Sequence, residues 1–256
     1  MRVAILAGGL GSRLSEATAR RSKAMVEIGD RPILWHIMRY YAHFGFDEFV
    51  IALGHHGETI REHFAQEGFR RIAPNGRWPN DPAHQLWHDE AWRVHLVDTG
   101  LPTENGGRIK RLAPYLRDGT FMLTWCDGLA DVDLDRLLAF HRAHRRLATL
   151  TAIHPPGRFG RLALDGDRIA EFQEKTIDPD EWINGAFFVL EPEVLDYIAG
   201  DETRFELEPL ARLAHEGQLM AYRHESFWQC MDTIKEARAL NSLWASGSAP
   251  WKIWSS

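Results

Sequence analysis

Cysteine, lysine and long apolar runs are all scarce in this chain of 256 residues. The two cysteines, Cys126 and Cys230, have neither a CxxC partner nor Cys/His spacing around them, which argues against a disulfide framework or a zinc site. No stretch approaches the ~20 consecutive apolar residues of a membrane span, and residues 1–7 open a strand with no basic leader or cleavage site. The expectation is a cytoplasmic protein with no membrane contact. Neither GxxxxGK[ST] nor a GxGxxG opening a helix occurs, so the P-loop and the dinucleotide fingerprint are both missing. Repeats and low-complexity tracts are missing too. The formal net charge of -6 provides no broad cationic face, which disfavours nucleic acid as a partner. A small anionic substrate would need a local positive pocket. Of the 30 basic residues only Lys23, Lys110, Lys175, Lys235 and Lys252 are lysines, so a lysine at a candidate site is an unusual choice.

What is present is a regular alternation of strand and helix signals. Arg2 to Leu6 read as a buried strand ending in a glycine turn, Pro32 to Phe44 as a helix capped by Asp30, and Glu48 to Leu53 as a second strand. Further helices are expected at Glu58 to Gln66, Arg108 to Leu116 and Leu134 to His144, with strands at Val94 to Val97, Phe121 to Trp125 and Ala148 to Ile153. This predicts parallel βαβ units with ligands at the carboxyl ends of strands. Beyond residue 154, Arg161 to Leu164 and Arg168 to Phe172 flank an Asp165-Gly166 turn and read as a hairpin. A strand at Asn184 to Leu190, a helix at Leu207 to Ala214, a strand at Leu219 to Tyr222 and a helix at Ile234 to Trp244 follow. Residues 67–91 show no period and read as a loop or interface segment.

Four constellations carry chemistry. Leu6-Ala7-Gly8-Gly9-Leu10-Gly11-Ser12-Arg13 follows the first strand; glycines let backbone N–H groups approach a polyphosphate, and Arg13 can chelate its oxygens. Such a turn is just as often only a turn. Lys23, in a basic loop downstream, offers a compact charge for a phosphate that gains charge in a transition state, or is simply solvated. Asp127, at the end of the strand Phe121 to Trp125, and Asp232, before Thr233, are a candidate pair for one Mg²⁺ ion, although each alone could cap a helix. Glu174 and Lys175, with Asn184 and Gly185, could hold a second phosphate and its hydroxyls, or be an ordinary strand edge.

Together these stretches, with Met25-Val26-Glu27-Ile28-Gly29, Gly106-Gly107-Arg108, Pro155-Pro156-Gly157-Arg158-Phe159-Gly160 and Met231-Asp232-Thr233, resemble the bacterial sugar-1-phosphate nucleotidyltransferases, and among them the glucose-1-phosphate cytidylyltransferases, over nearly the whole chain. The resemblance implies an α/β fold: a Rossmann-like mixed, mainly parallel sheet flanked by helices, with a small sugar-side β appendage. It implies one domain over 1–256, with a nucleotide half at about 1–130, a sugar-phosphate half at about 131–235 and a C-terminal helix and tail at 233–256. By position, Leu6 to Arg13 and Lys23 would hold the triphosphate with Thr103, Gly107 and Arg108, and Lys23, Arg13 and Asp127 would act in catalysis. Asp127 and Asp232 would bind Mg²⁺, and Glu174, Lys175, Asn184 and Gly185 would hold the sugar phosphate. The substrates implied are CTP and glucose 1-phosphate, in a homo-oligomer to which tryptophan-rich stretches at 78–92 and 244–254 could lend contacts. Other nucleotides, other sugar or cyclitol phosphates, and an inactive binding subunit are the alternatives. This chain reads Arg21-Ser22-Lys23-Ala24-Met25 where the family usually has Lys-Pro-Lys-Pro-Met, and Thr176 and Cys126 also depart from the pattern.

Overall fold

The computed structural model describes residues 1–9, 14, 18–72, 81–155, 161–165, 168–173 and 181–254. Its centre is β1 (Arg2–Leu6), which is buried throughout because it runs between two layers of apolar side chains. Side chains alternate across a strand, and the core divides accordingly: Val3 and Ile5 join one cluster, Ala4 and Leu6 the other. The first cluster is closed by α1 (Ile33–His43), α2 (Gly57–Gln66), α5 (Leu134–His144) and α7 (Ile234–Ala245). The second lies under α3 (Asn105–Arg111), α4 (Ala113–Leu116) and α6 (Glu208–His215).

β1 pairs in parallel with β4 (Glu48–Leu53) on one side and β8 (Phe121–Trp125) on the other. Beyond β4 lie β7 (Arg93–Asp98, parallel), β6 (His84–His88) and β5 (Arg70–Ile72), the last two antiparallel. Beyond β8 lie β13 (Ile183–Leu190, antiparallel), β10 (Ala148–Ile153) and β14 (Leu219–His224), completing nine strands. From β1 the chain runs outward through β4 and β7 and then crosses back to β8 on the other side of β1, so the crevice between β1 and β8 is the topological switch point where such sheets bind ligands. The mixed, mainly parallel sheet matches the expected fold class, and β11 (Arg161–Asp165) and β12 (Arg168–Gln173) form the expected hairpin as a separate sheet.

Several local expectations are corrected. Asp30 does not cap α1; its N-cap is Pro32, and the Ile33 amide donates to the Val26 carbonyl at 2.9 Å. The helix expected at Arg108 to Leu116 starts earlier and breaks at Leu112, because Pro114 has no N–H to give the preceding turn. Residues 67–91 are not simply a loop: 70–72 and 84–88 extend the sheet. Arg70, Arg71 and Ile72 are all exposed, so that edge strand has no apolar alternation to read. Trp92, Trp251 and Trp254 are buried in the chain's own core. No helix among the described residues is long and apolar enough to cross a membrane.

Candidate active site

Two further short strands decide the site. β9 (Gly128–Ala130) starts one residue after Asp127, and β15 (Trp228–Cys230) ends two residues before Asp232; they pair antiparallel with Gly128 opposite Cys230. The Met231 amide donates to the Asp127 carbonyl at 2.8 Å. This pairing draws together two aspartates that are 105 positions apart in sequence. Between them lies the Lys23 ammonium, donating to Asp127 Oδ2 and to Asp232 Oδ1, each at 2.7 Å. Only 12% of the lysine side chain is exposed. Burial on its own would lower the Lys23 pKa, but the charge of Asp127 and hydrogen bonds to both aspartates outweigh it, so the pKa stands above the ordinary lysine value.

The lysine is placed by a single helical turn, Lys23–Met25, whose N-cap is Ser22. Ser22 is buried, and its hydroxyl donates to the Ala7 carbonyl at 3.3 Å while accepting from the Ala24 amide at 3.3 Å. Its own amide donates to Thr59 Oγ1 at 3.2 Å. Ser22 thus ties the lysine turn to the end of β1. On the other side, the carboxylate of Glu236 accepts from the amides of Asp232 and Thr233, both at 2.8 Å, in a capping box with Thr233 at the start of α7. Thr233 therefore takes the capping role, and the Asp232 side chain is left for the site.

A cavity of about 520 Å³ opens here, lined by Leu6, Gly8, Gly9, Lys23, Thr103, Arg108, Asp127 and Asp232. Leu101, Pro102, Glu104, Asn105, Trp125 and Cys126 complete the lining. Gly8 is glycine for a steric reason: a Cβ there would run into the Arg108 guanidinium. Its Nη1 is anchored, donating to Thr99 Oγ1 at 2.7 Å and to the carbonyls of Gly100 and Leu53 at 2.8 and 3.2 Å. Arg108 thus lines the cavity with its Nη1 edge held in place. The Thr103 hydroxyl is buried with no hydrogen-bond partner among the described residues, so it keeps a polar contact in reserve. Burial pushes the Cys126 thiol up to about 12, which keeps it neutral beside Asp127 and unsuited to act as a nucleophile.

Not every expected residue comes to this cavity. Ala7 and Gly107 do not line it; Gly107 lets α3 press against the backbone of Asp201. Asn184 and Gly185 lie outside the lining, on a bulge of β13 where Ala186 adopts a left-handed φ of 62°. The bulge aims the Gly185 carbonyl at Trp228 Nε1, 2.7 Å away on β15, and Asn184 Oδ1 accepts from the Ala186 amide at 2.8 Å. Leu10, Gly11, Ser12 and Arg13 fall outside the described residues, as do Glu174, Lys175 and the Asp165-Gly166 turn's glycine. Ser22, Trp125 and Glu236 were not singled out from the sequence; Thr233 followed three residues later by glutamate was the readable sign of the capping box.

Two carboxylates converging on one cation are a donor set suited to a hard divalent ion, with the lysine ammonium standing in for it. No group of three or more His, Cys, Asp or Glu side chains suited to a metal exists among the described residues. The fold and this centre define an enzyme that works on nucleotide phosphates, and the chain belongs to the nucleotidyl transferase family, whose model matches residues 2–233. Enzymes of this family generally use a divalent metal.

Its relatives narrow the comparison. The chain is 47% identical over 257 residues to a glucose-1-phosphate cytidylyltransferase of Salmonella typhi, covering 99% of this chain and 100% of that protein. It is 28% identical to a mannose-1-phosphate guanylyltransferase of Mycobacterium tuberculosis, covering 91% of this chain and 61% of the other. A solved UDP-glucose pyrophosphorylase in complex with UDP-glucose superposes with a TM-score of 0.70 at 13% identity, over 96% of this chain and 98% of that one, and so shares the fold.

Proposed function

We propose that this chain transfers a cytidylyl group from CTP to α-D-glucose 1-phosphate, releasing pyrophosphate, with Mg²⁺ as its divalent ion. The observation that carries the reading is the Lys23 ammonium held between Asp127 and Asp232 at the mouth of the Gly8-Gly9 turn. The choice of base and sugar is supported by 47% identity to a cytidylyltransferase along both full lengths, against 28% to a guanylyltransferase.

The phosphate oxygen of the sugar attacks the α-phosphorus of CTP, a P–O bond forms in line, and the bond to the β-phosphate breaks with its electron pair leaving on pyrophosphate. The chain's task is to align two anions and neutralise the charge that spreads between them. The amides of Gly8 and Gly9, with Leu10, Gly11, Ser12 and Arg13, would cradle the triphosphate. Lys23 would donate to the α-phosphate, and the free Thr103 hydroxyl offers the nucleotide a polar partner. A bound Mg²⁺ on Asp127 and Asp232 would supply Lewis-acid stabilisation of phosphate charge. Glu174, Lys175, Asn184 and Gly185 would receive the sugar phosphate, so that residues 1–130 serve the nucleotide and 131–235 the sugar.

Pyrophosphate release over a matrix of CTP, UTP, GTP and dTTP against several sugar 1-phosphates tests this. CTP with glucose 1-phosphate should exceed every other pair in kcat/KM by at least about tenfold. A different best pair would reassign the substrates, and no release from any pair would end the reading.

A further inference from the structure

The described lining of the cavity has the wrong charge for its ligand. Lys23 and Arg108 face Glu104, Asp127 and Asp232, two cations against three carboxylates, and Nη1 of Arg108 is engaged by Thr99 and the carbonyls of Leu53 and Gly100. The remaining cation, Lys23, is bound by both of the carboxylates that would hold a metal, at 2.7 Å each. Such a lysine has two of its three N–H donors held by the aspartates and only one left for a phosphate.

We propose that Lys23 is a tethered counter-ion that exchanges with the divalent ion. In the nucleotide-free chain its ammonium occupies the seat between Asp127 and Asp232. When the carboxylates take a divalent cation, Lys23 is released into the cavity, which thereby turns from net negative to net positive. The exchange frees all three N–H donors of the lysine for phosphate once the ion is seated, and it lets the resting enzyme keep its two carboxylates paired. The inference rests on the function proposed above for its phosphate ligand, while the exchange itself involves protein and metal alone.

Two measurements without nucleotide test it. The first is Mn²⁺ binding, followed by electron paramagnetic resonance, to the full-length wild type, Lys23→Met and Lys23→Met/Asp127→Asn. Removing the competing ammonium should tighten Mn²⁺ at least about tenfold, and the double variant should lose that gain. Equal Mn²⁺ affinity in wild type and Lys23→Met, or no binding by either, would overturn the exchange. The second uses only the wild type, in case Lys23→Met does not fold. With five lysines in the chain, the labelling of Lys23 by an amine-acylating reagent can be read by mass spectrometry. Mn²⁺ or Mg²⁺ should raise labelling of Lys23 severalfold while leaving Lys235 and Lys252 unchanged; unchanged labelling at Lys23 contradicts the exchange. Both readouts are independent of turnover, so failure here with normal pyrophosphate release would leave the proposed function standing, and success without release would leave only the exchange.

Discussion

The amide of Met231 donates to the carbonyl of Asp127 at 2.8 Å, and this one bond ends the short β9–β15 ladder at the point where the two aspartates face each other. The site is therefore made by main-chain pairing between strands of three residues, with the side chains of Ser22 and Glu236 fixing the backbone on either side.

Glu236→Ala should weaken both the fold and the reaction. It frees the amides of Asp232 and Thr233 and breaks the capping box, a loss of about 1 kcal/mol in stability. Asp232 also loses its anchor, so kcat should fall several-fold more than Tm alone would explain. Glu236→Gln keeps an acceptor and should restore most of both, as thermal melts and steady-state kinetics on the two variants would show.

Ser22→Ala removes the link between the lysine turn and β1. A buried acceptor and a buried amide lose their partner, at a cost of about 1–3 kcal/mol. Ser22 has φ -58° and ψ 146°, which proline can adopt, but Ser22→Pro loses the same hydroxyl bonds and also the amide bond to Thr59, so it should cost more than Ser22→Ala. Chemical denaturation of the pair checks the order.

Gly8→Ala should be severely disruptive although only a methyl is added. The new Cβ would meet the Arg108 guanidinium, which cannot yield without releasing Thr99 and the carbonyls of Leu53 and Gly100. Turnover should drop by more than about tenfold, whereas Gly9→Ala, with open space at its Cβ, should retain its fold. Comparing melting temperatures of the two separates steric from general effects.

Acid lability should trace in part to Glu48, far from the site. A hydrogen bond from His95, together with Arg2, holds its carboxyl down at about 2 against the ordinary 4.5, in spite of burial. The folded state thus binds fewer protons than the unfolded one in this range. The stabilisation is complete above pH 4.5 and disappears as the pH falls from 4.5 toward 2, and is on the order of 3 kcal/mol. Glu48→Gln should lower stability at pH 7 and flatten the decline between pH 4.5 and 2; an unchanged slope would contradict the assignment.

The strands that place the site were legible because burial on both faces leaves apolar runs, as in Val3 to Leu6 and Phe121 to Leu123. Lys23, Asp127 and Asp232 were legible as chemistry at the ends of those runs. Their meeting was not, since β9 and β15 are too short to show a period and their pairing is long-range. β5 was hidden because all three of its residues face solvent. Arg108 was legible as a nucleotide-side residue only through the family resemblance, and its Nη1 bonds to Leu53, Thr99 and Gly100 depend on long-range packing that no local pattern shows.

The most direct test of the central claim is the steady-state kinetics of Lys23→Met with CTP and glucose 1-phosphate at saturating Mg²⁺. If the ammonium serves the α-phosphate as charge builds, kcat should fall by about 10²–10³ while the KM for glucose 1-phosphate changes less than about threefold. A variant with wild-type kcat and a raised KM would show that Lys23 only binds substrate, and the catalytic centre described here would have to lie elsewhere.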